Sequence, residues 1–216
     1  RRTLPAGGEI LSTDVEYQAV LNSIRYRCER DGLKMRQANF GLEDLRAPAA
    51  HLAQKLISQI GPHTKMLVLS HVATGNGTVF PILDIARETR KRGIVLVLDG
   101  AHGTGALEMD FGRDFGDVDF YAGNLHKWML GPKGTGFGWA NKLHQEKLAP
   151  LNTGWTTFET APPFDAFGGG SRFASRFLHS ACKDFPPFFA IRETIAFWRQ
   201  HGEQDIRGRI YELQSL

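Results

Sequence analysis

An α/β fold with a mostly parallel sheet is the class that the sequence predicts, and three observations carry it. Short apolar runs alternate with amphipathic stretches along the chain, the pattern of repeated strand–helix units. Two of the runs, residues 66–70 and 94–98, are apolar without alternation, as strands covered on both faces must be. Three of the runs are also followed at once by polar residues, as happens where a chain leaves the carboxyl end of a buried strand.

The elements follow in order. Glu9–Thr13 reads as the first strand. Ser12, Thr13 and Asp14 then offer capping oxygens, and Tyr17, Val20, Leu21, Ile24 and Cys28 recur at helical spacing. Residues 33–38 form the second strand and 52–60 the second helix. Residues 66–70 form the third strand. The next helix is the best delimited. Pro81 opens its first turn, Ile82, Ile85 and Ala86 face inward, Arg90, Lys91 and Arg92 complement the dipole, and Gly93 ends it. Residues 94–98 form the fourth strand, ending at Asp99; 118–122 and 134–139 complete the set. A loop rich in Gly, Thr and Pro covers 152–170. Phe188, Ile191, Ile195 and Trp198 then mark a helix ended by Gly202. Phe185, Phe188, Phe189 and Phe197 are expected in the core or an interface. No internal repeat is present.

Composition narrows the classes of function. In 216 residues, 42% are apolar and 23% charged, which excludes a disordered or collagen-like chain. No apolar run approaches the roughly 20 residues that span a bilayer, and no secretion signal opens the chain. The net charge of +3 is interspersed, and only Arg90–Arg92 forms a basic tract, a poor footprint for nucleic acid. The two cysteines, Cys28 and Cys182, make neither a metal spacing nor a disulfide framework, so a cytoplasmic protein is expected. Both ends read as cut. Residues 1–8 resemble the last turn of a helix and a Gly-rich turn, and 210–216 stop within a helical pattern.

Chemistry is expected beyond the carboxyl ends of the strands. Three clusters stand there: Ser70-His71-Val72-Ala73-Thr74, Asp99-Gly100-Ala101-His102 and Gly123-Asn124-Leu125-His126-Lys127. A desolvated lysine amine becomes a nucleophile that forms a Schiff base with an aldehyde. If that aldehyde is pyridoxal 5′-phosphate, a carboxylate must keep its ring nitrogen protonated. Lys127 and Asp99 supply that amine and that carboxylate.

At these residues the chain resembles the class V aminotransferase family. Val97-Leu98-Asp99-Gly100-Ala101-His102, then Asp119-Phe120-Tyr121-Ala122-Gly123-Asn124-Leu125-His126-Lys127, then Gly131-Pro132-Lys133-Gly134-Thr135-Gly136 carry the likeness, which covers about residues 5–205. Asp14-Val15-Glu16-Tyr17-Gln18-Ala19-Val20 and Asp99-Gly100-Ala101-His102 look more like its isopenicillin N epimerase-like branch than its cysteine desulfurases. The resemblance implies a three-layer αβα large domain over residues 1–205, with 206–216 starting the connection to a smaller domain. It implies that Lys127 anchors the cofactor and moves the α-proton, that Asp99 pairs with the ring nitrogen, and that His102 lies beside the phenolic oxygen. It implies that Tyr17 stacks on the ring, that Asn124 and His126 meet the phosphate, and that Thr74 lies near the phenolic oxygen. The substrate would be an amino acid and the protein a homodimer. Ala181-Cys182-Lys183-Asp184 stands where relatives show Gly-Thr-x-Asp, a departure from the pattern.

Bland readings stand beside these. Lys127 could be a surface lysine, Asp99 a helix cap, His102 and His126 structural histidines, Tyr17 part of the core, and Asn124 and Thr74 backbone partners. Two other classes also compete. Gly100-Ala101-His102-Gly103-Thr104-Gly105 suggests a nucleotide turn, but Glu108 stands where the third glycine is needed. Asp99, His102 and His126 could hold a metal, but with no compact ligand spacing and with Lys127 idle. A piece without activity of its own is a further reading.

Overall fold

The computed structural model describes residues 4–154, 157–158, 171–178 and 184–214. Six strands form one sheet in the order β2-β1-β3-β4-β5-β6: β1 Glu9–Thr13, β2 Lys34–Ala38, β3 Thr64–Ser70, β4 Val95–Asp99, β5 Phe120–Asn124 and β6 Gly136–Ala140. β1 runs parallel to both β2 and β3, β3 to β4, and β4 to β5. The helices are α1 Gln18–Asp31, α2 Leu42–Arg46, α3 Ala49–Ser58, α4 Ile82–Lys91, α5 Lys142–Gln145, α6 Arg172–Leu178, α7 Pro186–Phe189, α8 Ile191–Gln200 and α9 Glu203–Gln214.

The chain divides into two compact units. One comprises Leu4–Trp139 with Pro187–Leu216 and holds the sheet except for the last residue of β6. In the other, Ala140–Pro186, Asn141 caps α5 by accepting from Leu143 N, and Ser171 Oγ accepts from Ala174 N ahead of α6.

Three layers follow from the alternation of side chains along each strand. On one face Ile10 and Val68 pack with Ile24 and Cys28 of α1. On the other, Leu11, Leu67, Leu69, Leu96 and Leu98 pack with Leu52 and Leu56 of α3 and Ile82 and Ile85 of α4. Burying each such leucine contributes about 1.5–3 kcal/mol, so register errors in the central strands are strongly penalised.

All six expected strands are present, the first at its expected bounds and the other five shifted by one or two residues. The sequence reading misses α2 and begins α3 three residues late, because Pro48 at its N-cap already starts the turn. The expected cap of α1 is absent. Its N-cap is Tyr17, while both Asp14 carboxylate oxygens accept from Phe40 N and fasten the α1 approach to the loop after β2. Among the described residues no hydrogen-bond partner meets the buried Ser12 Oγ and Thr13 Oγ1, which the strand points into the sheet's faces. Pro81 is the N-cap of α4 rather than part of its first turn. Gly32 and Gly93, both at φ 66°, end α1 and α4 as only glycine does without strain.

The basic tract is spent locally. Arg90 reaches Asp119 at 3.3 Å, Arg92 reaches Glu88 at 2.7 Å, and Lys91 reaches the same carboxylate at 3.9 Å. Phe185, Phe188, Phe189 and Phe197 are 39–75% exposed, so they lie outside the core of this chain; Trp198 is the inward position of α8. Among the described residues, no helix is long and apolar enough to cross a membrane. Cys182 and most of the loop over 152–170 lie outside the described residues.

Candidate functional site

Because β1, β3, β4 and β5 run parallel, their carboxyl ends share one edge, at Thr13, Ser70, Asp99 and Asn124. The strand order reverses direction at β1, between β2 and β3, the position where open α/β sheets leave a crevice.

The turn after β4 is built on close approach. A Cβ at Gly100 would stand 1.9 Å from the Tyr121 ring. Asp99 Oδ1 accepts from Ala101 N at 2.8 Å, and Gly100 O accepts from Gly103 N and Thr104 N at 3.0 and 3.1 Å. Gly105, at φ 88°, faces the next loop so tightly that a Cβ would come within 2.7 Å of Met129 N. That approach lays the turn against the loop after β5 and brings Lys127 Nζ to 3.1 Å from His102 Nε2. Trp128 Nε1 donates to the other nitrogen of the same ring, Nδ1, at 3.3 Å.

The lysine loop is pinned from three sides. Gly131 N donates to Leu125 O at 2.7 Å and Leu130 N to Lys127 O at 2.9 Å. Trp198 of α8 donates to Met129 O at 3.0 Å. Leu130 has φ 64°, a conformation that costs a branched residue about 1–3 kcal/mol and persists only where the surroundings impose it.

Burial, and then the Lys127 charge, hold His102 below the usual histidine range, with Asp99 opposing. His126 donates through Nδ1 to Thr135 O at 3.1 Å, which orients its ring. At the β1–β3 reversal the buried Glu16 accepts from Ser70 N at 2.6 Å, from Ser70 Oγ and from Tyr17 N at 2.8 Å. Burial pushes its carboxyl above the ordinary value; these bonds oppose the shift, and the Asp99 charge adds to it. His71 is pushed down to about 4 by burial, with Nδ1 at 3.3 Å from Tyr121 OH. Burial likewise raises the Tyr121 phenol.

Of the expected site residues, Lys127 and His102 are in direct contact, and Asp99 begins the turn that carries His102. Thr74 and Tyr17 line an open cleft with Asp14 and Glu16. Thr74 also lines a second, apolar cavity of about 160 Å³ with His102 and Trp128. Tyr17 is 51% exposed, so it is not the core residue that its helical stripe suggests. Asn124 ends β5. No helix follows β4 before β5, so the glycines at 100, 103 and 105 do not open the helix that a dinucleotide turn requires. Among the described residues, no three His, Cys, Asp or Glu side chains converge as a metal site.

The family model "Aminotransferase class-V" matches residues 1–169. The chain belongs to the class-V aminotransferase family. Its relatives in that family include an isopenicillin N epimerase of Streptomyces clavuligerus, 35% identical over 97% of this chain and 53% of that protein. A second isopenicillin N epimerase, from Amycolatopsis lactamdurans, is 30% identical over 99% of the chain and 54% of that protein. A probable cysteine desulfurase of Xylella fastidiosa is 30% identical over 97% and 48%. The chain thus spans about half the length of the curated relatives it matches. Among solved structures, the cystine C–S lyase C-DES in complex with its product cysteine persulfide superposes with a TM-score of 0.79 at 25% identity. That match covers 92% of this chain and 51% of the lyase.

Sequence reasoning missed three participants in this edge. Glu16 lies inside the segment that carries the family likeness, and a carboxylate just past an apolar strand could have marked it. Trp128 adjoins Lys127, and its donor-only indole next to a histidine-rich edge was the available signal. Gly105 had none, since its role is an approach between segments distant in sequence.

Proposed function

We propose that this chain carries the pyridoxal 5′-phosphate-binding half of an enzyme acting at the α-carbon of an amino acid, of the isopenicillin N epimerase-like kind. Residues 1–205 are its large domain, and 206–216 lead toward a smaller one. The observation that carries this reading is the 3.1 Å approach of Lys127 Nζ to His102 Nε2, within the turn that Asp99 begins. Bound, the cofactor supplies an aldehyde to an amine and a protonated ring that draws electron density from the substrate's Cα.

The residues present fit that group. Lys127 offers the amine, and its Nζ is the base that takes the α-proton. Asp99 spends Oδ1 on Ala101 N, and no donor among the described residues meets Oδ2, so that oxygen is left to pair with a ring N–H. Tyr17 offers an exposed ring face, and Thr74 and His102 offer polar atoms on neighbouring strand ends. Asn124 and His126 stand at and just past the end of β5, where the phosphate would meet them, and the bond to Thr135 O orients the His126 ring. The protein would work in the cytoplasm as a homodimer.

The epimerase-like reading rests on the 35% identity to the Streptomyces protein. A cysteine desulfurase or C–S lyase is the second reading, favoured by the likeness to C-DES. Borohydride reduction of the full-length protein with pyridoxal 5′-phosphate, followed by peptide mass mapping, tests the anchor. The cofactor's mass should fall on Lys127 and vanish in Lys127→Ala; a label on another residue, or none, overturns the assignment. α-Deuterium exchange across D- and L-amino acids, set against sulfide release from cysteine, then separates the two readings.

A further inference from the structure

Two cavities share Thr74, and their walls differ in charge. The open cleft has Asp14 and Glu16 in its lining. In the cavity of about 160 Å³, Val72, Ala73 and Ala106 form a buried apolar lining, which Leu107, Ile210 and the half-exposed Val79 extend. Among the described residues, no carboxylate, ammonium or guanidinium lines it. The His102 ring, which also lines it, is kept below the usual histidine range by burial and by the Lys127 charge. Trp128 spends its one polar atom on His102 Nδ1 at 3.3 Å, and the rest of its indole is apolar.

We propose that this cavity receives the side chain of the substrate, so that the amino acid worked on at Lys127 carries an uncharged, apolar side chain of about the size of leucine's. The inference rests on the reading of Lys127 as the cofactor's anchor and the base for the α-proton. On that reading the substrate's Cα lies beside Lys127 Nζ. The same Nζ is 3.1 Å from Nε2 of His102, a ring that forms part of the cavity's wall. The cavity therefore begins at the group that the reacting amine touches. Its size suits the role: an apolar cavity of about 150 Å³ admits benzene, so an isobutyl group fits here with its methyls among Val72, Ala106 and Leu107. A charged side chain would lose its hydration there and find no opposite charge in the wall.

Carbon-13 methyl NMR of the full-length protein tests the cavity directly, with benzene as the probe. The methyl signals of Val72, Val79, Leu107 and Ile210 should move as benzene is added, and should stay still in Ala106→Phe, whose ring fills the space. Val79→Phe, at a half-exposed position, takes the place of that variant where the buried substitution does not fold. Signals that never move in the unsubstituted protein overturn the proposal. Substrate preference gives the second readout, through α-deuterium exchange by the full-length protein with pyridoxal 5′-phosphate. Leucine should exchange about 100-fold faster than alanine at equal low concentration, and aspartate and lysine no faster than alanine. In Val79→Phe the leucine-to-alanine ratio should fall about tenfold. An equal rate for leucine and aspartate overturns the proposal, and so does an unchanged ratio in Val79→Phe. Borohydride labelling separates the two ways of failing. With the label on Lys127, a flat preference defeats this proposal alone; a label on another residue defeats the anchor reading and this proposal with it.

Discussion

Two glutamates stand at opposite ends of the same strand and are held in opposite ways. Glu9 opens β1 and takes a two-pronged contact from Arg36 of β2, with Nε and Nη2 each at 2.9 Å, plus Thr64 Oγ1 of β3 at 2.6 Å. Glu16 stands just beyond the other end of β1 and also ties it to β3, through Ser70, with no cationic partner among the described residues. The Arg36 bonds hold Glu9 below the ordinary glutamate range, against the effect of burial. Burial holds Glu16 above it. The amino end of the sheet is therefore fastened by complementary charge. The carboxyl end holds Glu16 and His71 desolvated with no opposite charge beside them among the described residues, which disfavours their ionised forms where reactive groups are needed.

The largest expected effect at the uncompensated end comes from His71. An ordinary histidine titrates near 6.5, while His71 is held neutral down to about 4. The unfolded chain then binds the extra proton, so stability falls as pH drops through that window, by on the order of 3 kcal/mol. Urea unfolding of His71→Gln at pH 7 and pH 4.5 should remove most of that slope; parallel curves for variant and parent would remove His71 from the account.

Glu16 comes next. Glu16→Ala strands Ser70 N–H in the interior and should cost about 1–3 kcal/mol. Because the folded carboxyl is raised, its contribution is complete below the unfolded value and is lost as pH rises through the folded one. The cost of the substitution should therefore shrink toward high pH. A cost that grew with pH would place Glu16 in the same class as Glu9.

Glu9 should give the smallest and opposite result. Its lowered carboxyl contributes above the unfolded value and is lost as pH falls through the folded one. The Arg36 side chain is 35% exposed, so solvent screens the pair and Glu9→Gln should cost only about 1 kcal/mol at neutral pH. Thermal melts should show that cost fading with acid and with salt. If it persists in high salt, the hydrogen bonds to Arg36 and Thr64 matter more than their charge.

The layers were legible because each depends on local pattern. Unbroken apolar runs mark strands covered on both faces, and Gly32 and Gly93 mark helix ends. Helix α2 was not legible, since five residues with none buried leave no periodicity to read. Within the site, Asp99, Lys127 and His102 stood out as polar residues at strand ends. The partnership of Glu16 with Ser70, and the exposure of Tyr17, depend on how β1 and β3 lie together.

The sequence by itself determined the strand order's raw material, the polar edge and the family, because period, glycine placement and motif are properties of neighbouring residues. Only the tertiary structure decided which groups meet. Lys127 reaches His102 because Gly105 lets two loops, each following a different strand, come into backbone contact. Asp14 ties down the β2 loop instead of capping α1, because Phe40 N lies within its reach. Such choices turn on distances between remote segments, and burial then sets which charges those segments can keep.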